Sequence, residues 1–190
     1  MTNKQALRAE LRQRRAAHDA SISANLRALL FNRPPTAMLE LVSEGAVVGV
    51  YYPIPGEASP LGYARWFAEQ GHRIALPWFA ARGALMTFKL WDNPFDESTL
   101  VSDPYGAMQP TPSAEDVRVD LAIVPLLGFT DTGQRLGQGG GHYDRLLAAE
   151  PELVPIGLAW DCQLVDALPL EPHDHPLRAV VTPTRFYGPF

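Results

Sequence analysis

The sequence holds a single cysteine, Cys162, so no internal disulfide forms and a zinc site built from several thiolates is excluded. It has no run approaching the roughly 20 apolar residues that a membrane-crossing helix needs. The basic N-terminal stretch, Met1 to Arg15, has no apolar segment behind it, which excludes a secretory signal of the usual kind. Positive charge is short overall: the net charge of −5 argues against a general nucleic-acid binder. Internal repeats are absent too. These gaps lead us to expect a cytoplasmic protein with no membrane or nucleic-acid partner, acting as a monomer on small molecules.

Hydrophobic residues at 46% and charged residues at 19% suit a globular chain long enough for one domain, residues 1–190, with a substantial core. Eighteen prolines point to many short elements rather than a helical bundle. Thr2 with Gln5 fits a capping box opening the first helix, where Leu7 and Leu11 share one face and Lys4, Arg8 and Arg12 form a second stripe. On an isolated helix that stripe would be a solvated basic face. A second helix is expected over Ser21–Phe31, with Ile22, Leu26, Leu29 and Leu30 on its apolar face. Further helices are expected at Pro60–Gly71 and His142–Glu150. Ala46–Tyr51, Arg73–Pro77, Ala84–Leu90, Leu121–Pro125, Val154–Ala159 and Ala179–Thr182 read as strands, and residues 92–119 as mostly loop. Strands alternating with helices predict an α/β fold with a mostly parallel sheet flanked by helices.

The most distinctive segment is Gly133–Asp144, GQRLGQGGGHYD, which leaves a buried strand and opens a helix. Its glycines, at 133, 137, 139, 140 and 141, let backbone N–H groups turn toward a ligand, and the helix N-terminus behind them adds positive dipole. The segment lacks the Gly-Lys-Ser/Thr of a P-loop. His142 stands where a dinucleotide fingerprint needs glycine. Arg135 and the local basic helix at residues 1–15 nevertheless favour an anion, phosphate above all. A plain mobile loop would share the composition.

The run Asp120–Arg145, DLAIVPLLGFTDTGQRLGQGGGHYDR, resembles the signature of the 5-formyltetrahydrofolate cyclo-ligase family, matching at Pro125, Phe129, Gly133, Arg135, Leu136, Gly137, Gly139, Gly141, Tyr143 and Asp144. It departs at Leu126, Thr130 and His142. The resemblance extends to Lys4 and Arg8, the turn Tyr52–Glu57, Met86 with Phe88, the loop Tyr105–Pro110 and the stretch Pro169–Pro176. Trp78 departs where a basic residue is usual. This resemblance implies a Rossmann-like arrangement and an ATP-dependent closure of 5-formyltetrahydrofolate to 5,10-methenyltetrahydrofolate with Mg²⁺. It implies that Lys4, Gln5, Ala6, Leu7, Arg8 and Arg135 to Tyr143 (Leu136, Gly137, Gln138, Gly139, Gly140, Gly141 and His142 between) bind ATP. Arg135, Lys4 and Arg8 would neutralise the transferring phosphate. Tyr52, Glu57, Tyr105 and residues 138–142 would bind the folate, with Glu57 across the site from the glycine loop. Asp144 and Asp174 would hold Mg²⁺. Two rivals share the scaffold: a sugar-phosphate isomerase or CoA-transferase relative using the loop without ATP hydrolysis, and a non-catalytic folate or nucleotide binder.

Overall fold

The computed structural model describes residues 4–190, so the Thr2 half of the expected capping box lies outside the described residues. The elements run α1 (Lys4–Ser21), α2 (Ala24–Leu29), α3 (Thr36–Leu39), β1 (Val47–Gly49), α4 (Leu61–Glu69), β2 (Arg73–Trp78), β3 (Thr87–Leu90), β4 (Leu100–Ser102), β5 (Met108–Pro110), β6 (Asp116–Val117), β7 (Leu121–Pro125), β8 (Gly128–Phe129), β9 (Arg135–Leu136), α5 (His142–Ala149), β10 (Val154–Leu158), a 3₁₀ turn (Asp161–Gln163), β11 (Ala179–Val181) and β12 (Phe186–Tyr187).

An eight-stranded sheet in the order β12-β11-β10-β7-β1-β2-β3-β6 organises the molecule. Strands β11, β10, β7, β1 and β2 pair in parallel; β12, β3 and β6 add antiparallel edges. The uninterrupted apolar run of β7 follows from burial on both faces. Leu121 and Ile123 enter the core cluster with Tyr63 and Phe67 of α4, whereas Ala122 and Val124 enter the opposite one with Leu147 of α5. From β1 the chain moves through α4 to β2 on one side; from β7 it moves through α5 to β10 on the other. The order therefore reverses between β1 and β7, and open α/β sheets bind ligands at that point, outside the strands' carboxyl ends. The turn after β1 and the glycine loop after β7 both emerge there.

One expectation fails. The second helix spans only Ala24–Leu29, capped by Ser23, whose hydroxyl accepts from the Leu26 N–H at 3.3 Å. Its expected apolar face is split: Ile22 and Leu30, flanking the helix, pack against the core, whereas Leu26 and Leu29 within it are 49% and 73% exposed. Fewer than two turns give too little surface to dock, and Phe31 just beyond it is the buried anchor. Residues 92–119 are mostly loop, as expected, with the β4–β5 hairpin and edge strand β6 added to it, elements of two or three residues each, too short to show alternation in the sequence. Among the described residues no helix is long and apolar enough to cross a membrane.

Candidate active site

A cleft of about 560 Å³ opens over the carboxyl ends of β1 and β7. Helix α1 forms one wall. Leu11, 1% exposed, anchors it against Leu127, Leu136 and Leu168, with Leu7 alongside. This turns the basic stripe toward the glycine loop instead of solvent. Arg8 donates through Nε to the Gly137 carbonyl at 3.1 Å. Arg12 donates through Nη2 to the Gln138 carbonyl at 3.1 Å and through Nε to its side-chain oxygen at 3.0 Å. Arg145 takes the Gly140 carbonyl at 3.0 Å. The loop's carbonyls are thus engaged, while its N–H groups from Gly137 to Gly141 donate to no described acceptor. Gly139 at φ 108° and Gly141, the N-cap of α5 at φ 63°, occupy backbone conformations that side chains with a Cβ rarely adopt. Lys4 and Arg8 line the cleft. Gln5, Ala6 and Leu7 do not.

Five charged side chains form the floor. Arg135, its side chain 5% exposed, donates through Nη2 to Asp144 Oδ1 at 2.5 Å. The same Asp144 oxygen accepts from the His175 N–H at 3.3 Å. Burial pulls the Arg135 pKa down and Asp144 opposes the fall; a guanidinium stays charged regardless. The Nε of Arg135 and the Tyr143 hydroxyl are buried without a partner, a cost that a bound acceptor would remove. Lys4 donates to Asp174 Oδ2 at 2.7 Å and Glu171 Oε2 at 2.8 Å. Burial works against the Lys4 charge, but Asp174 and Glu171 hold its pKa above the usual value. Burial likewise pushes the Asp174 carboxyl up, and Lys4 together with the Glu171 N–H more than offsets it, leaving its pKa below the usual range. Asp144 Oδ2 and Asp174 Oδ1 accept no described hydrogen bond. Glu171, His173 and Asp174 bring ligand atoms within 4.8 Å of one another.

The opposite end is walled by the turn after β1. Glu57 is no exposed turn residue: its side chain is 6% exposed. Oε2 accepts from the Ile54 N–H at 3.2 Å, and Oε1 from Arg15 at 3.2 Å and from the Gln138 amide at 3.4 Å. The expectation that Glu57 lies across the site from the glycine loop is therefore corrected: Gln138 of that loop touches it, because α1 draws both segments together through Arg12 and Arg15. Burial pushes the Glu57 pKa up, and the Arg15 charge restrains the rise. Tyr52 lines the cleft and donates to Glu97 Oε2 at 2.6 Å. Tyr105, Phe79 and His142 form a three-ring edge-on cluster with centroids 4.9–5.2 Å apart. Gln109 fixes Phe79 in place, accepting from its N–H at 2.9 Å. Burial, then the neighbouring Arg145, lowers the His142 pKa. Trp78 stands outside the cleft, with the Lys89 ammonium 4.9 Å above its ring.

The sequence reading brought together Lys4, Arg8, Arg135, the glycine loop, Asp144, Asp174, Tyr52, Glu57 and Tyr105, and all of them line this one cleft. It assigned no role to Arg12, Arg15 or Phe79. The first two continue the Lys4–Arg8 stripe at i+4 and i+3 spacing, a signal present in the sequence. Phe79 carries no such signal.

Comparison with known proteins gives the family. The model of the 5-formyltetrahydrofolate cyclo-ligase family matches residues 1–183. A 5-formyltetrahydrofolate cyclo-ligase from Escherichia coli is 38% identical over 165 residues, covering 81% of this chain and 84% of its own. One from Mycolicibacterium smegmatis is 32% identical over 148 residues, covering 74% and 75%. The solved structure of Aquifex aeolicus 5,10-methenyltetrahydrofolate synthetase superposes with a TM-score of 0.71 at 26% identity, over 96% of this chain and 93% of that one. With the family model spanning both the α1 stripe and the glycine loop that it grips, the chain belongs to the 5-formyltetrahydrofolate cyclo-ligase family.

Proposed function

We infer that this protein is an ATP-dependent cyclo-ligase that converts 5-formyltetrahydrofolate into 5,10-methenyltetrahydrofolate, releasing ADP and phosphate. The observation that carries the reading is the juxtaposition, in one cleft, of a phosphate end built from the glycine loop's N–H groups, Lys4, Arg8 and Arg135, and the buried carboxylate of Glu57. In this reading the 5-formyl oxygen attacks the γ-phosphorus and ADP leaves, giving an N5 iminium phosphate. N10 then adds to the iminium carbon. The carbon–oxygen bond breaks, the oxygen departs with phosphate, and the N10 proton passes to phosphate or water.

The chain's own contribution is positioning and charge neutralisation. The unengaged loop N–H groups and Lys4, Arg8 and Arg135 receive the triphosphate; Arg135 Nε is the buried donor left for the transferring group. Glu57 accepts from the pterin's ring N–H and amino groups, with Tyr52 and Tyr105 as aromatic walls. The free oxygens of Asp144 and Asp174 fit Mg²⁺, which takes one or two carboxylates beside phosphate oxygens and water. When bound, the ion would neutralise phosphate charge. The protein works as one domain, a monomer in the cytoplasm, on these small molecules. Growth of the methenyl-folate absorbance band on mixing protein, MgATP and 5-formyltetrahydrofolate tests the reading; a flat trace with intact protein overturns it.

Glu57→Gln is expected to raise the Kd for 5-formyltetrahydrofolate roughly tenfold to a hundredfold, since a charge-assisted hydrogen bond is worth about 1.5–3 kcal/mol. ATP affinity should stay nearly unchanged. Calorimetric titration of each ligand separately checks both. Unchanged folate affinity would leave Glu57 as a structural partner of Arg15 and move the pterin pocket toward Tyr105.

A further inference from the structure

Arg15 is only 6% exposed on α1, and among the described residues its ion-pair partner is Glu57. A buried ion pair is weak evidence for stability, because an apolar pair of similar volume would often serve as well. The pair spans 42 residues of sequence; Glu57 lines the cleft, Arg15 stands behind it, and neither belongs to the core clusters. Its acid is the side chain that would read the pterin. We propose that Arg15 is a positioning residue for folate recognition: its guanidinium holds Glu57 as a carboxylate and fixes which oxygens face the ligand. The inference rests on the folate reading of Glu57 above.

The geometry supports it from each side. The guanidinium packs beside Gly56, whose φ of 88° turns the chain so that Glu57 points back at α1. Oε2 is held by the Ile54 N–H and Oε1 by Arg15 and Gln138. The titratable groups that act electrostatically on Glu57 are Arg15 from α1, Tyr51 from the end of β1 and Tyr143 from α5. Burial raises the pKa of both tyrosines, so neither carries charge near neutrality. Gln138 is neutral, and Arg12 is committed to Gln138. Arg15 is thus the counter-charge opposing the desolvation of Glu57. Without it, Glu57 would take up a proton at a higher pH. Protonation turns one carboxyl oxygen into a donor, so the acid can no longer offer one acceptor oxygen to each of two pterin N–H groups.

The sign follows. Binding needs the ionised acid, so raising the Glu57 pKa weakens folate binding as pH falls and spares it at high pH. The test is titration of 5-formyltetrahydrofolate against wild type, Arg15→Met, Arg15→Lys and Arg15→Met/Glu57→Gln between pH 6 and 9. In Arg15→Met the Kd should climb by up to about tenfold per pH unit as pH falls, beginning at a higher pH than in wild type. The gap to wild type should narrow toward pH 9. Arg15→Lys keeps the charge and should retain the wild-type profile; it also serves if the methionine variant does not fold. The double variant has no carboxyl to titrate and should be weak but flat. Methionine and wild-type curves that run parallel, a lysine variant as pH-sensitive as the methionine one, or a double variant that still titrates would each overturn the proposal. If wild type itself does not bind 5-formyltetrahydrofolate, the functional reading fails instead.

Discussion

Arg135→Ala is expected to lower kcat by about 10²–10³-fold, equivalent to roughly 2.7–4 kcal/mol of transition-state stabilisation. Folate affinity should change little. One nitrogen of the guanidinium is committed to Asp144, so the residue is held before any ligand arrives. Its Nε is buried and unpartnered. A donor fixed in advance in a low-dielectric site acts most strongly where charge develops, on the phosphoryl group as it moves between oxygens. The ion pair with Asp144 adds a second consequence. Removing Arg135 leaves a carboxylate whose remaining described donor is the His175 N–H, so the alanine variant should also melt at lower temperature. Arg135→Lys, which keeps charge but not the forked donor geometry, should recover stability more than kcat. Single-turnover kinetics beside a thermal melt separates the two effects. A normal kcat with only a raised KM for ATP would make Arg135 a ground-state binder.

Removal of divalent metal is expected to abolish turnover. With EDTA in excess, the methenyl-folate absorbance should not grow, and Mg²⁺ in excess of the chelator should restore it. Asp144 and Asp174 are each balanced by one fixed cation, Arg135 and Lys4. The floor of the cleft therefore carries no surplus positive charge to meet a triphosphate. Most of the neutralisation would fall to Lys4, Arg8 and Arg135, already partly committed to protein acceptors. Asp144→Asn should raise the Mg²⁺ concentration needed for half-maximal rate while preserving the loop and α5. Full activity in EDTA would sink the metal assignment and leave both aspartates as partners of their cations.

The sequence by itself determined the α/β class, the buried run of β7 and the glycine loop that follows it. These are local: strand burial on both faces writes a continuous apolar run, and a loop that needs positive φ writes glycine. Two features were decided only by tertiary packing. The face of α2 looked apolar, yet Leu26 and Leu29 stay outside because six residues offer too little surface to dock. The basic stripe of α1 reads the same whether it meets water or protein. What turned it inward was Leu11 anchoring against Leu127 and Leu136, residues more than a hundred positions away. That docking made Arg8 and Arg12 the grip on the glycine loop and set Arg15 against Glu57. It also drew Glu57 and Gln138 together at 3.4 Å. A charge on a helix face says what it can pair with; only the fold, by bringing distant segments within hydrogen-bonding distance, says which partner it meets.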